Sequence, residues 1–444
     1  MEQTKNKKFG IVLPIILISY FMILLDNAIV YTSSVKLAQD LSLNAQTLSW
    51  VSNAYALTFG GMILLGGRAG DVFGRQEVFL LGLVIFSAAS LLVGMSVNGA
   101  MLISMRAVQG IGAAILAPTT LALLIDSYAG SMRTRAIVYY GATGGLGGSV
   151  GLIIGGLIAS YFSWRIGFLI NGPVGIVLFI LAKKFIPRSK RARGTIDWSG
   201  AILSVLGIVA IIYGINGATY PVPTIVLGVL LIVVFIWQEQ RTAEPLMPLV
   251  LFKNRERSSA YLARFFFLGA MTSYFFLTPQ VMQSVDHYTP LMAAVAFLLQ
   301  TLPQFISATA VSRLNKRFSN TQIMIVGTFI TMLGILWAAI TKVQSGFLLG
   351  LAVPMVILGI GQGLAMSTLT VAGVANTTPD IAGSASGVVN TMHQVGSSAG
   401  LAVITMMTAG LSNPVIAYNH SLAIMFVFMV VALFATINVA FAKK

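Results

Sequence analysis

The chain has 444 residues, 57% of them hydrophobic and only 9% charged, with a mean hydropathy of +0.89; an ordinary soluble domain has about 25% charged residues, so a soluble globular protein is excluded and a polytopic membrane protein is indicated. The formal charge of +15 has to be read from where the 27 Lys and Arg residues fall, not from their sum. There is no cysteine, which excludes disulfides and thiolate metal sites, and no metal centre is expected.

A membrane-crossing helix takes about 20 mainly apolar residues. On that criterion candidate spans lie at 9–31, 48–67, 77–97, 100–123, 136–159, 166–185, 198–216, 223–239, 258–284, 290–312, 321–341, 347–372, 384–411 and 421–441, fourteen in all. The first run follows a basic N-terminus as a signal peptide would, but no small-residue cleavage site follows it and it is long enough to span, so it reads as a retained helix. Connections are short, and none is long and polar enough to be a soluble domain.

With the N-terminus on the cytoplasmic side, Lys36, Arg165 and Lys342 fall outside, and Arg106 and Arg264 fall within spans. All other Lys and Arg residues fall inside, among them Lys5, Lys7, Lys8, Lys190, Arg191, Arg193, Lys443 and Lys444. A miscounted span in the middle would reverse every later loop, so the asymmetry supports fourteen spans with both termini cytoplasmic, in the cell membrane. The positive charge is thus a topology signal with some attraction to anionic lipid, and nucleic acid is not an expected partner.

The most basic connection, 183–198, separates six spans from a hairpin of two, and residues 238–259 follow that hairpin. The expected organisation is an all-α membrane protein with an N-terminal six-helix half (1–186), a two-helix insert (187–257) and a C-terminal six-helix half (258–444). Two six-helix halves around a central path make a transporter plan, with substrate bound near the midplane between them.

Asp26 lies in "FMILLDNAIVY" (21–31), inside the first span. A charge at that depth costs roughly 2.5 to 3.5 kcal/mol on insertion scales and is usually functional. Nine of the other eleven acids are placed as follows: Asp71 and Glu77 in the second loop, Asp126 and Asp380 at cytoplasmic ends, Glu239, Glu244 and Glu256 beside a basic loop, and Asp40 and Asp286 outside. Arg106 is the electrostatic counterpart of Asp26 in the same half. Arg264, seven residues into the ninth span, is expected to snorkel to the cytoplasmic face, and His393 on the thirteenth span is a candidate proton-exchanging group.

Motifs extend this reading. "GRAGDVFGRQ" (67–76) lies between the second and third spans, where its glycines permit a tight turn and Asp71 and Arg75 can pair with charges or helix ends. With Gly67, Asp71, Gly74 and Arg75 at the right spacing, it resembles the signature loop of the major facilitator superfamily. "RAVQGIGAA" (106–114), with Arg106 and Gly110, is similar to that family's fourth-helix motif, which implies proton coupling. "GGLGGSVGLIIGG" (144–156), with Gly151, Gly155 and Gly156, resembles the fifth-helix antiporter motif, though Leu152 replaces the family's proline and a straighter helix is expected; such glycines also let helices approach closely. "LDNAIV" (25–30) resembles the first-helix motif of the fourteen-span drug:proton antiporters, with Asn27 and Ala28 after the Asp. "SWRIGFLINGP" (163–173) is also family-like, and "VSRLNKRFSN" (311–320) is a degenerate echo of the signature loop.

The resemblance implies a multidrug-efflux antiporter: a secondary transporter and not an enzyme, driven by the proton gradient without a cofactor, and working as a monomer. No GxxxxGK[ST] phosphate loop is present. The expected partners are protons, the lipid bilayer and an amphipathic small molecule with a cationic preference, because aromatic faces suit flat cations and the 20 Met residues add adaptable surface. Candidate substrate contacts are Asp26, Asn27, Trp50, Asn53, Tyr139, Phe275, Gln280 and Gln304; Asp26, Arg106 and His393 are the candidate coupling residues. The alternatives are a narrower exporter of tetracycline or a metabolite, and, from another class, a membrane-embedded transferase, against which the scarcity of clustered His, Asp and Glu weighs.

Overall fold

The computed structural model describes residues 9–188, 197–242, 245–378 and 381–442. The cations Lys5, Lys7, Lys8, Lys190, Arg191, Arg193, Lys443 and Lys444 and the acids Glu244 and Asp380 lie outside the described residues. Among the described residues the regular structure is helical throughout. In chain order the α-helices are α1 (Val12–Asp40), α2 (Ala45–Phe73), α3 (Arg75–Gly94), α4 (Gly99–Ser127), α5 (Gly130–Tyr161), α6 (Trp164–Leu169), α7 (Asn171–Phe185), α8 (Trp198–Ile215), α9 (Pro221–Glu239), α10 (Arg255–Ser284), α11 (Pro290–Ala296), α12 (Leu298–Leu314), α13 (Asn320–Thr341), α14 (Val353–Gly373), α15 (Ala382–Thr408) and α16 (Pro414–Phe441).

Among the described residues twelve helical stretches are long and apolar enough to cross a membrane, with α6 and α7 forming one of them and α11 and α12 another; α5, taken as one bent span, makes a thirteenth. The segment expected as one more, 384–411, lies largely on α15, a helix of 27 residues whose Gly, Ser, Asn, Gln and His content dilutes its apolarity. It is sandwiched between α2 and α10 instead of facing lipid, so its sequence is not held to the composition that hydrocarbon demands. α5 is not straighter than usual: it bends by 42° between Gly130–Gly145 and Gly147–Tyr161, in a glycine-rich run where a bend needs no proline.

The first helix runs nine residues past the expected end at 31, through Asp40. Thr32 and Ser33 are fully buried and turn their hydroxyls back onto the carbonyls of Ala28 (3.0 Å) and Ile29, so the polar residues cost little inside the helix. Asp40 accepts a 2.8 Å hydrogen bond from the Trp164 indole and ties the end of α1 to the start of α6.

Helices α1 to α7 form one bundle and α10 to α16 another, each with its own core. Lipid is as apolar as leucine, so helix association in a membrane comes from close packing and from hydrogen bonds, and small residues mark the contacts. A Cβ on Gly400 of α15 would lie 2.3 Å from the Cα of Gly269 on α10, and one on Gly110 of α4 would lie 2.1 Å from Thr58 Oγ1 on α2. Met271, Met282, Met324, Met355, Met425 and Met429 are fully buried in the second bundle's core, where the flexible thioether fills gaps. These methionines are packing residues and not the adaptable substrate surface the composition suggests.

Contacts between the bundles differ at the two ends. At the end bearing Lys36 and Asp286, α1 and α5 are sealed against α10 and α11. Gln283 donates to the carbonyl of Thr32 (3.1 Å), the amide of Leu291 donates to Ser160 Oγ (2.9 Å), and a Cβ on Gly156 would be 2.7 Å from that of Ala294. α2 lies along α15, with Thr391 Oγ1 donating to the carbonyl of Gly60 (2.9 Å). α8 packs against both α2 and α15, whereas α9 touches mainly α8; in its most apolar window only 11% of α9 is buried.

Candidate functional site

Between the bundles is a cavity of about 1100 Å³. Its lining reaches from Tyr31 near the sealed end to Arg68, Asp71 and Arg75 of the 67–76 loop and to Pro245–Pro248 at the other, so it opens toward the end that carries the basic connections. Its two walls differ in chemistry. The first bundle supplies aromatic faces, Tyr20, Tyr31, Phe59 and Tyr140 among them, and the Tyr20 and Tyr140 rings stack at 4.2 Å and 12°. The second bundle supplies Thr272 of α10 and Asn390, His393, Gln394 and Ser397 of α15.

Asp26 and Arg106 are each fully buried and form an ion pair through Asp26 Oδ2. Gln109, one turn on from Arg106 and also fully buried, donates to Asp26 Oδ1 (2.6 Å) and accepts from Arg106 Nη1 (2.8 Å). Arg106 Nε donates to the carbonyl of Val51 (3.0 Å), and its guanidinium lies 4.1 Å from the centre of the Tyr55 ring, within cation–π reach. Arg106 is therefore not a snorkelling cation. Both oxygens of Asp26 are occupied by protein, and the carboxylate stands behind the cavity wall; Asn27, on the same helix, lines the cavity itself. Gln109 escaped the sequence reading; its position in "RAVQG", on the helix face of Arg106, was the available signal.

Most of 67–76 is not the loop expected: α2 runs helical through Phe73 and α3 begins at Arg75, so the turn is made by Gly74 alone, with φ +105°, a conformation that L side chains rarely adopt. Arg75 bonds Asp71 Oδ1 through Nη2 (2.9 Å) and Asp126 Oδ1 through Nη1 (2.7 Å), so it clasps the end of α2 to the end of α4. Gly67 itself is not pressed: the nearest atom to a Cβ there is 3.7 Å away, while one on the preceding Gly66 would lie 2.2 Å from the carbonyl of Ala114. Of the fifth-helix glycines, Gly151 and Gly155 meet α1, and Gly156 meets α11.

The remaining candidates divide. Trp50 donates to the carbonyl of Asn216 (3.3 Å) and packs on Tyr213 of the insert, so it joins α2 to α8. Asn53 is buried with Nδ2 unpartnered, outside the cavity lining. Tyr139 turns away onto Phe9, and its neighbour Tyr140 is the one that reaches the cavity. Phe275 packs against Phe297 (5.3 Å), Gln280 bonds a carbonyl of its own helix (2.8 Å), and Gln304, half-buried on α12, brings its backbone carbonyl up to Gly363 of α14. None of these six lines the cavity.

Arg264 does not snorkel: it is 5% exposed, held among α10, α14 and α15. Nη1 donates to Thr370 Oγ1 (2.8 Å), Nη2 meets His393 Nδ1 (3.3 Å) and Nε has no partner. Among the described residues no carboxylate pairs with it.

Two helical bundles around a polar-and-aromatic cavity, with buried charges beside it, carry the marks of a transporter, and comparison with known proteins agrees. The sequence profile of the Major Facilitator Superfamily matches residues 16–401. The chain is 32% identical over 388 residues to the puromycin resistance protein pur8 of Streptomyces alboniger, covering 84% of this chain and 76% of that protein. It is 32% identical over 382 residues to the cephamycin export protein CmcT of Amycolatopsis lactamdurans, covering 83% and 78%. Among solved structures, the peptide transporter PepTSo superposes with a TM-score of 0.72 over 98% of both chains at 15% identity, a likeness of fold. The chain is a multi-pass membrane transporter, not an enzyme, and belongs to the Major Facilitator Superfamily.

Proposed function

We propose that the protein is a proton-coupled antiporter that exports amphipathic small molecules across the cytoplasmic membrane by alternating access. The observation that carries the proposal is the fully buried Asp26–Arg106–Gln109 cluster directly behind the cavity wall formed by Asn27 and Tyr31. A buried ion pair is tolerable only while both charges are present. Protonating Asp26 leaves Arg106 uncompensated and makes the packing of α1 on α4 unfavourable as it stands, so proton binding biases the helices that line the cavity.

In this reading residues 1–186 and 258–444 rock against each other, and 187–257 is a peripheral insert. The cavity faces the cytoplasm, both termini are cytoplasmic, and one chain suffices without a cofactor. The expected cationic preference rested on aromatic faces, with Asp26 as a candidate direct contact to substrate. Here Asp26 has protein partners for both oxygens, so a cation reaches it only in a state where Arg106 has let go. Two of the relatives are a puromycin resistance protein and a cephamycin export protein, which supports export of drug-like compounds.

The test is purified protein in liposomes with an imposed pH gradient, assayed with a panel of dyes and antibiotics. Wild type should concentrate a substrate against its gradient. Asp26→Asn should lose uphill transport and keep downhill exchange. Uphill transport at the wild-type rate in Asp26→Asn would place the coupling elsewhere, with His393 the next residue to test.

A further inference from the structure

Arg264 is the anomaly of the second bundle. A guanidinium in protein always carries its charge and only donates hydrogen bonds, and a buried charge ordinarily has a counter-ion because an uncompensated one is strongly destabilising. Arg264 has none among the described residues. Its neighbours are a hydroxyl, a carbonyl and an imidazole, and its Nε is unpartnered.

The imidazole tells where the charge is directed. Because Arg264 Nη2 can only donate, His393 Nδ1 must accept, which fixes the proton of the neutral ring on Nε2. Among the described residues His393 Nε2 has no hydrogen-bond partner, and His393 lines the cavity. A guanidinium behind the wall thus polarises an N–H donor at the wall, next to Asn390 and Gln394. The opposite wall is aromatic, with the Tyr20–Tyr140 stack. The cavity has a side of flat aromatic rings, with Asn27 and Ser52 beside them, and a side with positive potential that the protein itself leaves unanswered.

We propose that Arg264 and His393 form an anion subsite in the cavity, which takes a carboxylate on an otherwise flat, apolar transported compound. The carboxylate would accept from His393 Nε2 and supply the counter-charge that Arg264 lacks. The subsite deepens the transporter reading and rests on it only in taking the cavity as the transport path; it does not depend on proton coupling.

The test uses the purified full chain and two probes of matched shape, 2-naphthoate and its uncharged amide, with sodium chloride at equal concentration as the salt control. A ligand that binds the folded state raises the melting temperature in proportion to the logarithm of its concentration above Kd. Wild type should respond to naphthoate at a concentration at least tenfold below that needed for the amide. Arg264→Gln should abolish the difference and Arg264→Lys should retain part of it. Equal responses to the two probes, no response to naphthoate, or a difference that survives Arg264→Gln overturns the proposal.

Arg264→Gln is expected to fold, because it removes an uncompensated buried charge. Should it not, His393→Phe keeps the guanidinium and removes the donor at the wall, and it must weaken the naphthoate response several-fold or the proposal fails. Proton-driven dye uptake on the same preparations separates the two readings: antiport can fail with carboxylate selectivity intact, and the reverse.

Discussion

The guanidinium of Arg106 is held from two sides at once, by the carboxylate of Asp26 in front and by the ring of Tyr55, 4.1 Å away, behind. Removing one partner leaves the other charge buried. Arg106→Ala should therefore destabilise the protein by roughly 3 to 5 kcal/mol while Asp26 stays ionised. Asp26→Asn combined with Arg106→Ala should recover most of that loss, since neither charge remains. Thermal unfolding of wild type, Asp26→Asn, Arg106→Ala and the double mutant in detergent measures the cycle; a double mutant no better than Arg106→Ala contradicts the pairing.

The Arg75 clasp makes a different prediction. Arg75 and its partners Asp71 and Asp126 are partly exposed, with side-chain exposures of 28%, 42% and 43%, so each bond contributes little to stability. Its role is to hold α2, α3 and α4 together in this conformation. Arg75→Ala should slow turnover and leave equilibrium binding of a substrate near the wild-type value, and Asp126→Ala should do the same. Binding weakened tenfold with normal turnover would show that the loop touches ligand instead.

The sealed end can be locked. The natural absence of cysteine means that Ser160→Cys with Leu291→Cys introduces the only two thiols, on α5 and α11, where Leu291 N and Ser160 Oγ are 2.9 Å apart. Oxidative cross-linking should stop transport and reduction should restore it, because alternating access requires this seam to open. Cross-linked protein that transports normally would show that the seam does not move.

Sidedness follows from the same cysteine-free background. Val250→Cys, at an exposed position in the segment after α9, and Asp286→Cys, exposed between α10 and α11, should be labelled by an impermeant thiol reagent from opposite sides of the membrane. Labelling of both from one side would contradict the assigned topology.

What the sequence revealed and what it hid divide along physical lines. Asp26 and Arg106 stood out because charges are rare and expensive in hydrocarbon, and the 67–76 loop stood out because turn glycines and charges sit at fixed spacing. Tyr139 and Tyr140 could not be told apart. In a soluble helix the polar face identifies the buried one, but here lipid and core are both apolar, and adjacent residues are about 100° apart around the helix axis. The same ambiguity led Phe275, Gln280 and Gln304 to be read as ligand contacts although none of them lines the cavity. Arg264 was misjudged because its distance along the helix from the membrane surface allowed snorkelling. That α14 and α15 enclose it, through Thr370 and His393, is a tertiary fact that sequence spacing does not contain.

Asn216, at the C-terminal cap of α8, gives one small side chain an outsized mechanical position. Its Nδ2 donates to Ser49 on α2 (2.7 Å), its Oδ1 accepts from Thr405 on α15 (3.2 Å), and its carbonyl accepts from Trp50 (3.3 Å). Both bundles are thus pinned to the insert at a single residue. The other end of α8 is 18 residues away, roughly 27 Å at the helical rise per residue. α8 also packs on α2 along its length, Val205 against Gly61 and Ala201 beside Leu65, and at its far end Asp197 and the Pro245–Pro248 stretch edge the mouth of the cavity. One helix thus carries both the residue that ties the two bundles together and part of the rim of the opening.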